Sequence, residues 1–228
     1  MTTLDDEDAR NDELPTTTSP PSTVPEPTTT TTPATVLPPE PVFVADVRET
    51  TKEELGGSWT DGCPVAVSDL RWIDLSHWDD DGRVLTGSIV VHSDHADDVV
   101  TVFSAMFDAA FPVHSMRPIT EFESDDSLSM TANNTSAFNC REIDGRPGVW
   151  SQHAYGGAID INPLVNPWVR GSRVDPPEGA TFVDRDASVP GLIVAGDAVT
   201  DAFAAIGWGW GGDWTSTLDY QHFSHNSR

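Results

Sequence analysis

An α+β domain with a small, mostly antiparallel sheet and flanking helices is the fold this sequence predicts, on three observations. Short apolar runs rich in β-branched residues are separated by turn signals, two segments carry apolar residues at helical spacing, and no regular βαβ alternation runs along the chain. Val65–Leu70 and Trp72–Leu75, then Val84–Val91 across the turn Asp79-Asp80-Asp81-Gly82, read as strands and a hairpin. From Asp94 to Ala110 the period changes. Val99, Val100, Phe103, Met106, Phe107 and Ala110 form one apolar face, Ser93 or Asp94 can cap the start, and Phe111-Pro112 ends the helix. Val113–Phe122 then reads as strand, Glu123–Asn134 as a polar segment, and Ala158, Ile159 and Ile161 as a buried strand. Asp197–Ile206 is the second helix, with Val199, Phe203 and Ile206 on one face and Gly207 as its stop.

Composition narrows the partners. The 228 residues carry 12 Lys+Arg against 37 Asp+Glu, a formal charge of −25. Such a surface repels phosphate backbones, so nucleic acid is excluded as a partner, and anionic membrane surfaces are disfavoured by the same sign. No stretch approaches the roughly 18 to 20 apolar residues that a spanning helix needs. The acidity is dense in residues 1–41, where Thr16–Thr18, Thr28–Thr32 and prolines from Pro15 to Pro41 accompany eight carboxylates and Arg10 alone. That stretch cannot bury enough apolar surface to offset its ordering entropy and is expected to be a disordered tether. Residues 42–61 are expected as linker or domain lead-in and 62–228 as the folded domain, a monomer. Thr/Pro tethers often separate an anchor or secretion signal from an enzyme of the cell envelope. An extracellular or envelope-associated location is therefore expected, with no signal or anchor visible in the sequence itself. Cys63 and Cys140, the only cysteines, belong to no zinc-ligand spacing. They are either two buried thiols or a disulfide, which would fit export and contribute about 4–5 kcal/mol through loop closure.

The chemistry is concentrated in two stretches. Ser151-Gln-His153-Ala-Tyr155-Gly156-Gly157-Ala-Ile-Asp160 is followed near the C-terminus by Asp219-Tyr-Gln-His222-Phe223. A hydrolytic zinc site needs three N or O ligands from the protein, a further position for water, and a base beside that water. His153, Asp160 and His222 supply the ligands. The two glycines let the chain turn between His153 and Asp160. A carboxylate between Ile159 and Ile161 is costly to bury unless it is paired or bound to a cation, which argues for a metal. Asp219, three residues before His222, suits the base that moves a proton from the attacking water to the leaving amine.

The pattern S-x-H-x-x-G-x-A-x-D, here Ser151 to Asp160, with a final D/E-x-x-H, here Asp219 to His222, resembles the VanY-type D-alanyl-D-alanine carboxypeptidases. These zinc peptidases share a core fold with lysostaphin-type enzymes and the hedgehog signalling domain, and the resemblance spans about Gly62 to Ser224. It implies one zinc per domain on His153, Asp160 and His222, a base at Asp219, and peptidoglycan stem peptides as substrate. An Asp at 219, where carboxypeptidases usually carry Glu, is similar to the endolysin L-alanyl-D-glutamate peptidases, so endopeptidase cleavage is the alternative bond. A non-catalytic zinc-containing cell-wall binding module is the alternative of another class. The family also places an arginine upstream that can hold the developing oxyanion. Arg141, in Asn134-Thr-Ser136-Ala-Phe-Asn-Cys140-Arg141, matches that segment better than Arg117 does. A Cys63–Cys140 bridge would anchor the residue next to Arg141.

Ser136, Ser151, Tyr155 and Trp210 are candidate substrate contacts. Trp208, Trp210 and Trp214, interleaved with glycines from Gly207 to Gly212, form either a cleft wall or a packing cluster. His225 competes with His222 as ligand less well, because it lacks the D-x-x-H spacing. His77, His92, His95 and His114 show no partner pattern. The aspartates at 79–81 and 125–126 lack the alternation and closing Glu of a calcium loop and are expected to be solvated turns.

Overall fold

The computed structural model describes residues 40–227. The expected tether, up to residue 39, lies outside the described residues. In chain order the elements are β1 (Ala45–Glu49), α1 (Lys52–Leu55), β2 (Leu70–Trp78), β3 (Val84–His92), α2 (Ala96–Asp108), β4 (Ser115–Met116), α3 (Asp126–Thr131), β5 (Asn134–Thr135) and β6 (Ala158–Asp160). There follow β7 (Trp168–Arg170), β8 (Arg173–Asp175), α4 (Ala198–Ala205), β9 (Gly209–Trp210), β10 (Leu218–Asp219) and β11 (His222–Ser224). Helices and small, mainly antiparallel sheets make a mixed fold, as the sequence pattern predicts.

β2 and β3 form the long hairpin, in register from Leu70↔His92 to Trp78↔Val84. Its turn is organised by Asp79, whose carboxylate accepts from the N–H groups of Asp81 and Arg83 and from the Arg83 guanidinium. Those bonds to Arg83 hold the Asp79 pKa below its ordinary value, so the acidic run is a turn lock. β1 pairs antiparallel with the other edge of β2, so residues 45–49 of the expected linker or lead-in form an edge strand. α2 lays Val99, Val102, Phe103 and Met106 against Ile73, Leu75, Ile89 and Val91, while its buried Phe107 stacks on Trp78. Each such side chain contributes on the order of 1.5–3 kcal/mol, as an upper bound. The same core reaches α4 and the three-stranded sheet β6-β11-β9, where Phe203 stacks on Phe223 with ring centres 4.0 Å apart. A second cluster of Leu55, Leu70, Val90 and Phe138 is flanked by Cys140, which is joined to Cys63 in a disulfide.

Several local expectations are corrected. Val65–Leu70 is not a strand before Leu70: Val67–Asp69 is a 3₁₀ turn, because the Asp69 carboxylate turns back to accept the Ala66 N–H. α2 is entered through a 3₁₀ turn at Ser93–His95, and neither Ser93 nor Asp94 caps it: His95 stands at the N-cap with no side-chain bond. Ala110 lies beyond the helix at φ 51°, and Val102 takes a core position that the expected stripe omitted. Of Val113–Phe122 only Ser115–Met116 is strand, since Pro118 has no N–H to donate and a 3₁₀ turn follows it. The polar segment after it contains α3, started by the Asp125 carboxylate accepting the Leu128 N–H at 3.1 Å. The second helix matches its expectation, with Asp197 as a double side-chain cap and Gly207 at φ 80° beyond its end.

Candidate metal centre

Two cross-strand partners create the site. β6 and β11 run antiparallel with Asp160 directly opposite His222 and Ile159 opposite Phe223. Alternation along both strands then sends Asp160 and His222 to one face while Ile159 and Phe223 enter the core. The His222 Nδ1 stands 2.9 Å from the Asp160 Oδ1. His153 comes from a 3₁₀ turn, Gln152–Tyr155, whose start is capped by the Ser151 Oγ accepting the His153 N–H. Gly156 ends that turn at φ 65°, and a Cβ there would meet the His92 nitrogen at 2.5 Å, so glycine is required twice over. The ligand-bearing turn thereby packs onto the end of β3.

The His153 Nδ1 lies 2.6 Å from the Ala137 carbonyl. A carbonyl only accepts, so Nδ1 carries the proton and the lone pair of Nε2 faces the other two residues. Nε2 is 3.1 Å from the Asp160 Oδ2 and 3.3 Å from the His222 Nδ1. All three side chains are buried. A tetrahedral zinc with bonds of about 2.0–2.1 Å has ligand atoms roughly 3.3 Å apart, the separation found between the two imidazole nitrogens, with one carboxylate oxygen near each of them. The donor set therefore fits zinc: two imidazole nitrogens and one carboxylate, with a carbonyl orienting one imidazole from behind. Burial acts most strongly on the Asp160 carboxyl and raises its pKa. The attraction and hydrogen bonds of His153 and His222 together outweigh burial and leave it well below the carboxylate range.

Asp219 sits on β10, opposite Trp168 of β7. Its Oδ1 is buried with no hydrogen-bond partner. Burial pushes its pKa up to about 7; His222 and His153 oppose this and Asp160 reinforces it. A hydrogen bond from the Gln221 side chain also lowers it, and a carboxyl with one oxygen free, within reach of the field of all three candidate ligands, is suited to proton transfer. It is placed by close packing on Gly211, where a Cβ would approach the Asp219 carbonyl oxygen to 2.5 Å and its Cβ to 2.7 Å. Reading residues 207–214 as tryptophans spaced by glycines misses this contact, for which only the tertiary structure holds a signal.

The remaining candidates separate. The Arg141 guanidinium pairs with Asp126 at 2.7 Å, its Nε is buried without a partner, and its carbonyl accepts the Ser151 N–H beside the His153 turn. Arg117 is exposed, pairs with Glu121 at 3.3 Å and lies over the Phe122 ring. Ser136 meets Asp160 through its backbone, in two N–H to carbonyl bonds, and Ser151 acts as the turn cap described above. Tyr155 is 37% exposed beside His153. Trp210 lies in the core instead of a cleft wall: it is buried, its indole donates to the Tyr220 carbonyl, and its ring stacks on Phe223. Trp208 is buried too, so of the three only Trp214 borders the centre, 5.5 Å from the His222 ring. His225 is not one of the three donors; its Nδ1 donates to the Gly157 carbonyl and its ring stands 4.8 Å from that of His95. Sequence reasoning gave no role to the buried amides Asn139 and Gln221. Each carries an atom without a hydrogen-bond partner, Nδ2 of Asn139 and Oε1 of Gln221, and each adjoins a ligand, Asn139 by donating its N–H to the His153 carbonyl.

Comparison with known proteins adds one observation. Residues 144–225 match the D-alanyl-D-alanine carboxypeptidase family. No curated protein and no solved structure matches the chain. The matched segment contains His153, Asp160, His222 and Asp219, and the match implies a metallopeptidase. Arg117, Ser136 and Arg141 precede it.

Proposed function

We propose that this chain is a zinc-dependent peptidase that hydrolyses peptidoglycan stem peptides next to a D-amino acid, as a D-alanyl-D-alanine carboxypeptidase. The observation that carries the reading is the Asp219 Oδ1, buried and without a hydrogen-bond partner, beside three convergent donors. A structural or ligand-binding metal site has no need of such a base, which separates this reading from a binding module. Zinc on His153, Asp160 and His222 would supply a Lewis acid and lower the pKa of water. Asp219 takes the proton of the attacking water as its oxygen bonds to the peptide carbonyl carbon, then delivers it to the amine as the C–N bond breaks. The half-buried Arg141, paired with Asp126, is the positive charge assigned to the carbonyl oxygen.

The Asp at position 219 keeps L-alanyl-D-glutamate-type endopeptidase cleavage as the second reading. The Cys63–Cys140 disulfide supports an oxidising, extracytoplasmic location. Zinc-loaded protein and its Asp219→Ala variant, incubated with purified stem peptides and read by mass, test both. Loss of one terminal alanine, absent in the variant, is the expected result; an internal cut selects the endopeptidase. No product from folded, zinc-loaded protein would overturn the enzymatic reading.

A further inference from the structure

A cleft of about 750 Å³ opens beside the metal centre, sharing with it the turn that carries His153. Its volume is in the usual range for small-ligand sites. One wall is aromatic, from Trp150 and the exposed ring of Tyr155, with the Gln152 amide between them in sequence. The other holds three imidazoles, His92, His95 and His225, whose rings follow one another at 6.0 and 4.8 Å. In a chain of charge −25, the described residues lining this cleft include one carboxylate, Asp94, and neither lysine nor arginine. A cation would be met by more carboxylates and an anion by guanidinium or ammonium groups. The lining suits an uncharged, hydroxyl-rich ligand.

The imidazole tautomers agree. The His92 Nδ1 accepts the Asp94 N–H at 3.2 Å, so in the neutral ring the proton sits on Nε2, a donor. The His225 Nδ1 donates to the Gly157 carbonyl, which leaves its Nε2 as an acceptor. A hydroxyl group both donates and accepts, and a sugar ring adds a C–H face that packs on an aromatic side chain. Burial lowers the His95 pKa most, and the neighbouring His225 and His92 lower it further, against Asp94 and Asp98.

We propose that this cleft binds the uncharged amino-sugar strand to which the stem peptide is attached, so that the glycan lies along His92, His225 and Tyr155 while the peptide reaches the metal centre. The choice of sugar rests on the cell-wall reading above; the cleft chemistry stands without it. The test is titration of the full-length, zinc-loaded chain with an N-acetylglucosamine tetramer, by calorimetry and by NMR of the imidazole and indole protons. Binding that shifts the His92, His95, His225 and Trp150 signals and is unchanged from low to high salt is expected, as for a neutral ligand. Tyr155→Ala, at an exposed residue of the turn, and, separately, Gln152→Ala, at a half-buried one, should each weaken it about tenfold. Absence of binding, salt-dependent binding, or binding by either variant as tight as that of the unaltered chain would overturn the assignment. Sugar binding without stem-peptide hydrolysis removes the peptidase reading and leaves the cleft; hydrolysis without sugar binding does the reverse.

Discussion

Gly211→Ala tests how Asp219 is held. The added methyl would sit 2.5 Å from the Asp219 carbonyl oxygen and 2.7 Å from its Cβ, whereas ordinary contact begins at 3.4 Å, so the first contact must open by 0.9 Å. Two adjustments are available. Either β10 gives, displacing Asp219 from its pairing with Trp168, or the 3₁₀ turn Gly211–Asp213 gives and moves Trp214 away from the His222 ring. Overpacking of this kind costs about 1–3 kcal/mol, and replacing glycine returns about 0.4–1 kcal/mol by restricting the unfolded chain. The net loss of about 0–2.5 kcal/mol lowers Tm by no more than about 10 °C. Displacing a catalytic group by about 1 Å costs on the order of 100-fold in rate. The three metal donors lie on β6, β11 and the His153 turn, so zinc stoichiometry should persist. The assay is turnover of a stem peptide by mass, beside zinc content and thermal unfolding, with Gly62→Ala as control, since a Cβ there meets only Thr60 Oγ1 at 3.9 Å. Full turnover by a folded, zinc-loaded Gly211→Ala protein would refute the argument that Gly211 sets the position of the base.

Three further outcomes follow from the same contacts. Zinc at 100 times its Kd should add about 2.7 kcal/mol and raise Tm by about 5–11 °C, and His153→Ala should abolish that increase; an unaltered increase in the variant would remove His153 from the site. In metal-free protein the Asp219 pKa is raised from 3.8 to about 7, so the fold binds this proton more tightly than the unfolded chain does. Its contribution favours the fold below about pH 4 and is lost as pH rises towards 7, and Asp219→Asn, which does not titrate, should remove that decline from pH-dependent denaturation curves. Replacing both Cys63 and Cys140 by serine should cost about 2–5 kcal/mol by denaturant unfolding under oxidising conditions, since the bridge spans 77 residues; equal stability would show that it constrains nothing.

How much of this was legible beforehand follows from the range of the forces involved. The hairpin, α2 and α4 are written in local periodicity, because each buries one face of a single regular element. The three candidate donors stand out in the sequence for a different reason: a carboxylate between two isoleucines is costly to bury unless it is paired or bound to a cation, and the resemblance points to the distant histidine. α3 leaves no trace in the sequence pattern because a short helix with an Asp cap has too few turns to show a period. Trp210 and Trp214 differ by four residues and have similar neighbours, yet one is core and the other borders the centre. That difference is set by the pairing of β9 with β11, a contact invisible to local pattern. The register that puts Asp160 opposite His222, the packing of Gly211 on Asp219 and the histidine-lined cleft all join segments far apart in the chain. The sequence by itself determined which donors exist and which helices form. Only the tertiary structure decided which side chains meet, because strand register and close packing are settled by the whole core at once.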